Sequence, residues 1–170
     1  MAKIPYKQTN ITLDRTRKNR KFQIIDYVLT FFFFLFLAVL TTIKIFGDDD
    51  IFWHLATGRF IFENGYIPSQ EIFGFITAGI KWIPFEWGWE VLTFIIYKIG
   101  GFLLLSIFRT LIILSTFYTL FFYLKRIKIE VTFIIIISIA VVIATLPRFS
   151  IRPQIIYYMF LAILIVRIWA

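Results

Sequence analysis

The chain contains no cysteine and a single histidine, His54. The first absence excludes disulfides and thiolate metal sites, and with them any reading of redox compartment. The second leaves one imidazole for proton transfer or metal binding. Carboxylates are also few, 10 Asp and Glu against 18 Lys and Arg in 170 residues. No internal repeat or low-complexity linker is present. What fills the chain is apolar: 60% of residues are hydrophobic, 22 are Phe, and mean hydropathy is +0.85. Ordinary soluble domains are roughly 45–50% apolar, and here the apolar residues come in blocks too long for a soluble core. A net charge of +8 in a soluble protein would raise nucleic acid as a partner. Here the charge concentrates at the N-terminus beside an apolar run, where it sets topology, so no nucleic-acid partner is expected.

A helix needs about 20 apolar residues to cross roughly 30 Å of hydrocarbon. Spans are expected at about 24–46, 101–124, 130–146 and 155–170, giving an all-α, polytopic transmembrane helical bundle. The first run holds only Asp26 and Lys44 as charges, both near its ends. It is too long for a signal peptide, and Gly47-Asp48-Asp49 is a poor cleavage site. The last run stops at Ala170 without a polar flank, which suggests an N-terminal piece of a longer protein. Orientation follows Lys and Arg. Segment 1–23 carries Lys3, Lys7, Arg15, Arg17, Lys18, Arg20 and Lys21 and is read as cytoplasmic. The 47–100 loop, with seven acids and three bases, then faces outward. The basic loop Lys125-Arg126-Ile127-Lys128 returns inside. Arg148 and Arg152 fall outside, against that trend.

The outer loop is expected to contain interfacial helices. Asp50 opens a helix from Ile51 to about Glu63, ended by Asn64-Gly65, and Asp50, His54 and Gly58 then share one face. Tyr66 to Ile83, with Pro68, Gly74 and Gly79, reads as turns and short extended pieces. Glu86 to Ile99 reads as an amphipathic helix lying in the interface. Its wet stripe is Glu86, Glu90, Thr93 and Tyr97, its greasy face Trp87, Val91, Phe94 and Ile95. Gly100-Gly101 then turns the chain into the second span. Trp53, Trp82, Trp87 and Trp89 fit an interface belt.

Titratable groups are scarce enough that their clustering is informative. Asp48, Asp49 and Asp50 stand where the first span should emerge, with His54 four residues on. Such acids act as a general base or hold a divalent cation through oxygen, and they equally suit a helix start. His54 is a candidate proton carrier, metal ligand or hydrogen-bond donor to a phosphate, or an imidazole satisfied by the carboxylate at i−4. Glu86 and Glu90 can join the acids across a site. Arg148 and Arg152 suit bidentate phosphate recognition, with headgroup snorkelling as the plainer role. Arg109 sits about 12 Å into its span, where a charge usually faces a cavity or partner. Glu90 or the acid cluster is the expected partner.

The strings DDDIFWHLATGRFIFENGYIP, WIPFEWGWEVLTFIIYKIGG, FRTL and RPQ resemble the N-terminal part of a group of bacterial multi-pass membrane proteins. That group is related to the GT-C glycosyltransferases, the superfamily of oligosaccharyltransferases and protein mannosyltransferases. The resemblance runs over about residues 45–155. It rests on Asp48, Asp50, Trp53, His54, Leu55, Thr57, Gly58, Gly65, Pro68, Glu86, Trp87, Tyr97, Gly100 and Gly101. The chain departs from the pattern at Asp49, where proline is usual, at Pro84-Phe85, where a polar pair is usual, and at Gly74, where serine is usual.

The resemblance implies a GT-C-like fold and a transferase moving sugar from a polyprenyl-phosphate-linked donor to an acceptor at the outer face of the cytoplasmic membrane. With the clusters above, Asp48, Asp50 and His54 are the expected catalytic residues, and Glu86, Glu90, Arg109, Arg148 and Arg152 the substrate-binding ones. The cofactor it allows is a divalent cation, Mg2+ or Mn2+, on Asp48 and Asp50. The partners are membrane lipid, the lipid-linked donor and an acceptor the residues do not name. Two other readings remain open, a transporter subunit and a non-catalytic scaffold of envelope polysaccharide assembly.

Overall fold

The computed structural model describes the backbone of residues 6–43 and 50–169 and side chains from Gln23 onward within those ranges. Among the described residues the five α-helices are α1 (Tyr6–Ile43), α2 (Asp50–Asn64), α3 (Trp87–Arg126), α4 (Val131–Thr145) and α5 (Gln154–Trp169). A short 3-10 turn, Leu146–Arg148, follows α4. Among the described residues the only β pairing is an isolated bridge between Gln70 and Lys81.

Helix α1 contains neither Gly nor Pro, the two residues that interrupt helices most strongly. It therefore runs 38 residues, continuing the first span back through the basic segment. Among the described residues three helical segments are long and apolar enough to cross a membrane: Gln23–Ile43, Trp87–Arg126 and Val131–Arg148. Sequence reading expects a fourth in 155–170. Helix α5 is apolar over its 16 described residues, about 24 Å of rise.

The expected turn at Gly100-Gly101 is a bend inside α3. Gly100 has φ −145° and ψ 20°, and Gly101 has φ 60° and ψ −155°. The latter region is open essentially to glycine alone. The bend separates an arm of residues 87–99 from a spanning arm of residues 102–126.

Packing follows a polarity unlike that of a soluble bundle. Phe31 and Phe32 are exposed, while Phe33 and Leu37 turn inward against Ile113, Phe117 and Val142. Rows of exposed Phe and Ile are the surface that lipid covers, since lipid tails are as apolar as the side chains. Nearer the 3-10 turn, Ile51, Leu55, Trp89, Phe94, Leu105, Ile112, Ile151 and Ile155 form one core. This core joins α2, both arms of α3 and the start of α5.

The structure departs from two expected surfaces. The stripe read as the wet side of the 86–99 helix is buried at Glu90 and Thr93, because α2 lies along it. Trp89, placed in the interface belt, is in the core, where its Nε1 donates to the Ile151 carbonyl at 3.1 Å. Trp53 and Trp87 remain exposed, as an interface belt requires.

Candidate functional site

Helix α2 begins at Asp50, and Glu86 occupies the N-cap position of α3, with Glu90 in that helix's first turn. Acids are favoured at helix starts by the macrodipole alone. The dipole does not account for how these side chains pair. His54, one turn into α2, places Nδ1 3.2 Å from Glu90 Oε1. A carboxylate accepts, so Nδ1 is the donor. The other ring nitrogen, Nε2, stands 3.9 Å from Glu86 Oε2, too far for a hydrogen bond. Exposure rises along the row, from 4% for the Glu90 side chain to 12% for His54 and 41% for Glu86. An imidazole is thus held from behind by a buried carboxylate and faces a second, more open one. A partner at one ring nitrogen selects the tautomer and fixes the ring. The second oxygen of Glu90 is buried and makes no hydrogen bond among the described residues.

The close approach of α2 to α3 makes this pairing possible. Gly58 lies one turn beyond His54, directly against the Glu90 backbone. A methyl group at Gly58 would stand 2.5 Å from the Glu90 carbonyl carbon and 2.9 Å from Phe94 Cβ. Thr57 and Thr93 complete the contact and are fully buried. Each turns its hydroxyl onto its own helix, Thr57 to the Trp53 carbonyl and Thr93 to those of Trp89 and Glu90. The interface therefore buries small polar residues without leaving their hydroxyls unmet.

Asp50 does not serve as the i−4 carboxylate of His54. Its carboxylate accepts from the Arg152 guanidinium across 102 residues of sequence. Arg152 is carried by the turn before α5, and that turn is tied to α3 through the Trp89 to Ile151 bond. Asp50, His54, Glu86, Glu90 and Arg152 thus gather around one end of α2.

The remaining candidates separate. Arg109 is buried and donates through Nη2 to the Thr41 carbonyl; of its two expected partners, Glu90 is engaged with His54, and Asp48 and Asp49 of the acid cluster lie outside the described residues. The last carbonyls of a helix lack partners within it, and a cation there is favoured by the dipole, so Arg109 secures the end of α1. Thr42 and Thr110 hydroxyls meet beside it at 3.1 Å. Arg148 is exposed on the 3-10 turn and pairs with no carboxylate among the described residues. Asp48 and Asp49 lie outside the described residues. Among the described residues, no three His, Cys, Asp or Glu side chains converge to hold a metal ion. The expected cation rests on Asp50 together with Asp48, which lies outside the described residues.

Sequence reading missed the Trp89 joint and the inward turn of Glu90. Tryptophan beside an apolar stretch reads as a belt residue, and no local signal distinguishes one whose indole N–H reaches a carbonyl 62 residues away. Comparison with protein-family models, curated proteins and solved structures finds no match to this chain.

Proposed function

We propose that this chain bears the site of a GT-C-type membrane glycosyltransferase. In this reading it transfers a sugar from a polyprenyl-phosphate-linked donor to an acceptor hydroxyl at the outer face of the cytoplasmic membrane, its N-terminus being cytoplasmic. The observation that carries the proposal is the pairing of Asp50 with Arg152 beside the His54–Glu90 pair. A base suited to a hydroxyl and a cation suited to a phosphate stand together, though far apart in sequence.

The donor phosphate takes the Arg152 guanidinium, whose planar fork matches phosphate oxygens, and Arg148 adds a second cation. Asp50, released from Arg152, accepts the proton of the acceptor hydroxyl. The acceptor oxygen bonds to the anomeric carbon as the bond from that carbon to the phosphate oxygen breaks. The lipid phosphate leaves with the electron pair, and its growing charge is met by guanidinium groups already in place. His54, oriented by Glu90, hydrogen-bonds the sugar or the incoming hydroxyl, and Glu86 borders the opening. Arg109 holds the end of α1, five residues before Asp48.

The test uses purified full-length protein in lipid, supplied with radiolabelled undecaprenyl-phosphate sugars one at a time. Wild type is expected to consume one of them, and Asp50→Asn to lose about 10²–10⁴ of that rate, the usual worth of a positioned base. Equal turnover by Asp50→Asn, or no donor consumed by folded wild type, overturns the reading.

A further inference from the structure

Between α2 and α3 the chain forms an ordered projection rather than a plain connection. The Trp82 N–H donates to the Ser69 carbonyl at 3.0 Å and the Glu71 N–H to the Ile80 carbonyl at 2.8 Å. These bonds, with the Gln70–Lys81 bridge, close its neck. The Gly79 N–H returns to the Glu71 carbonyl, and Ile80 to that of Thr77, each at 3.0 Å. Gly79, with φ +84°, makes the left-handed turn that glycine tolerates. The acid of this segment, Glu71, is 9% exposed. Its Oε1 accepts the Phe73 and Gly74 N–H groups at 2.7 and 3.0 Å. The carboxylate thus serves the projection's own backbone.

The tip is apolar and uncharged. From Ile72 to Ile80 the sequence is IFGFITAGI, and Phe75 and Ile76 are 99% and 93% exposed. Soluble surfaces rarely leave a contiguous apolar patch in water without a partner. Behind the tip stands an aromatic collar, with the Trp53 ring 5.2 Å from Phe73 and 5.9 Å from Trp82. Lys81 is exposed at the neck. An uncharged tip, then Trp, then a cation is the order of polarity met on passing from acyl chains through the headgroup region to water. The projection is also tethered to a chain whose helices already expose lipid-facing rows of Phe and Ile.

We infer that the 69–82 projection is a membrane-surface anchor that seats Phe75 and Ile76 at the boundary between headgroups and acyl chains. Its occupant is lipid, and the inference stands independently of the transferase reading. Seated there, it holds α2 at a set height and keeps the Asp50 end of that helix at the lipid surface.

The absence of cysteine lets one introduced thiol report alone. Ile76→Cys and, as a water-exposed reference, Arg59→Cys are labelled with bimane in phosphatidylcholine–phosphatidylglycerol nanodiscs. The expected result is a shift to shorter emission wavelength and loss of intensity with nitroxide-labelled lipid at position 76, with little response to aqueous iodide. Position 59 should show the reverse. Iodide quenching at 76 equal to that at 59 overturns the inference. So does protection at 76 from both quenchers, which would mean a protein surface covers the tip. Both variants alter single exposed positions, and a labelled Phe75→Cys variant repeats the measurement should Ile76→Cys fail to fold.

Discussion

At the scale of single residues, the site turns on one imidazole. His54 is the chain's only histidine, so its ring nitrogens give an unambiguous signal in a protein labelled with 15N-histidine. Glu90 accepts from Nδ1, and the wild-type spectrum is expected to show Nδ1 bearing the proton and the Nδ1–H hydrogen-bonded. Replacing Glu90 by Leu removes the acceptor and most of the reason for that tautomer. The Nε2-protonated form should then appear, while Glu90→Gln, which keeps an acceptor oxygen, preserves the original pattern. An unchanged spectrum in Glu90→Leu would mean that His54 is oriented by something else. The acid cluster with His54 nearby was legible in sequence because such groups are rare in so apolar a chain. That His54 turns to Glu90, 36 residues away, was not. The i−4 acid was the local alternative, and local spacing cannot rank it against a residue on another helix.

At the scale of elements, α2 and α3 meet where Gly58 admits the Glu90 backbone. Gly58→Ala separates two opposing effects. Helix propensity alone favours Ala by roughly 1 kcal/mol. The added methyl, however, meets backbone that cannot rotate away, and overpacking of this kind costs about 1–3 kcal/mol or more. The net expectation is a lower thermal midpoint in lipid nanodiscs, together with a weakened His54–Glu90 bond in the histidine spectrum. A midpoint raised by Gly58→Ala would show that the helices are not in this contact. Helix positions were largely readable beforehand: Asp50–Asn64 and the bend at Gly100-Gly101 sit where capping residues and glycine place them. The inward-facing stripe of α3 was not. An amphipathic pattern tells that two faces differ, but which one is buried depends on the surroundings. Against α2, Glu90 and Thr93 turn in together with Trp89 and Phe94.

At the scale of the whole molecule, the Asp50–Arg152 pair connects the start of α2 to the turn before α5. With side chains 58% and 36% exposed, such a pair contributes about 0–1 kcal/mol to stability. Its role is therefore better tested through activity than through unfolding. Exchanging the charges, Asp50→Arg with Arg152→Asp, keeps an ion pair but reverses the ends that would meet phosphate and hydroxyl. The expected outcome is a thermal midpoint close to wild type with donor turnover lost. Retained turnover in the exchanged protein would leave the pair a structural tie alone.

Composition and periodicity by themselves determined the all-helical architecture, the apolar spans, the basic start of the chain, the glycine bend and the crowding of acids near His54. These properties arise from neighbours within a few turns, through backbone sterics and the length of hydrocarbon to be crossed. Only the tertiary structure decided that Glu90 backs His54, that Arg109 closes α1 and that Arg152 holds Asp50, contacts spanning 36, 68 and 102 residues. Each depends on how closely two helices can approach. That distance is set by side-chain volumes at the contact, Gly58 above all, rather than by the local pattern of either helix.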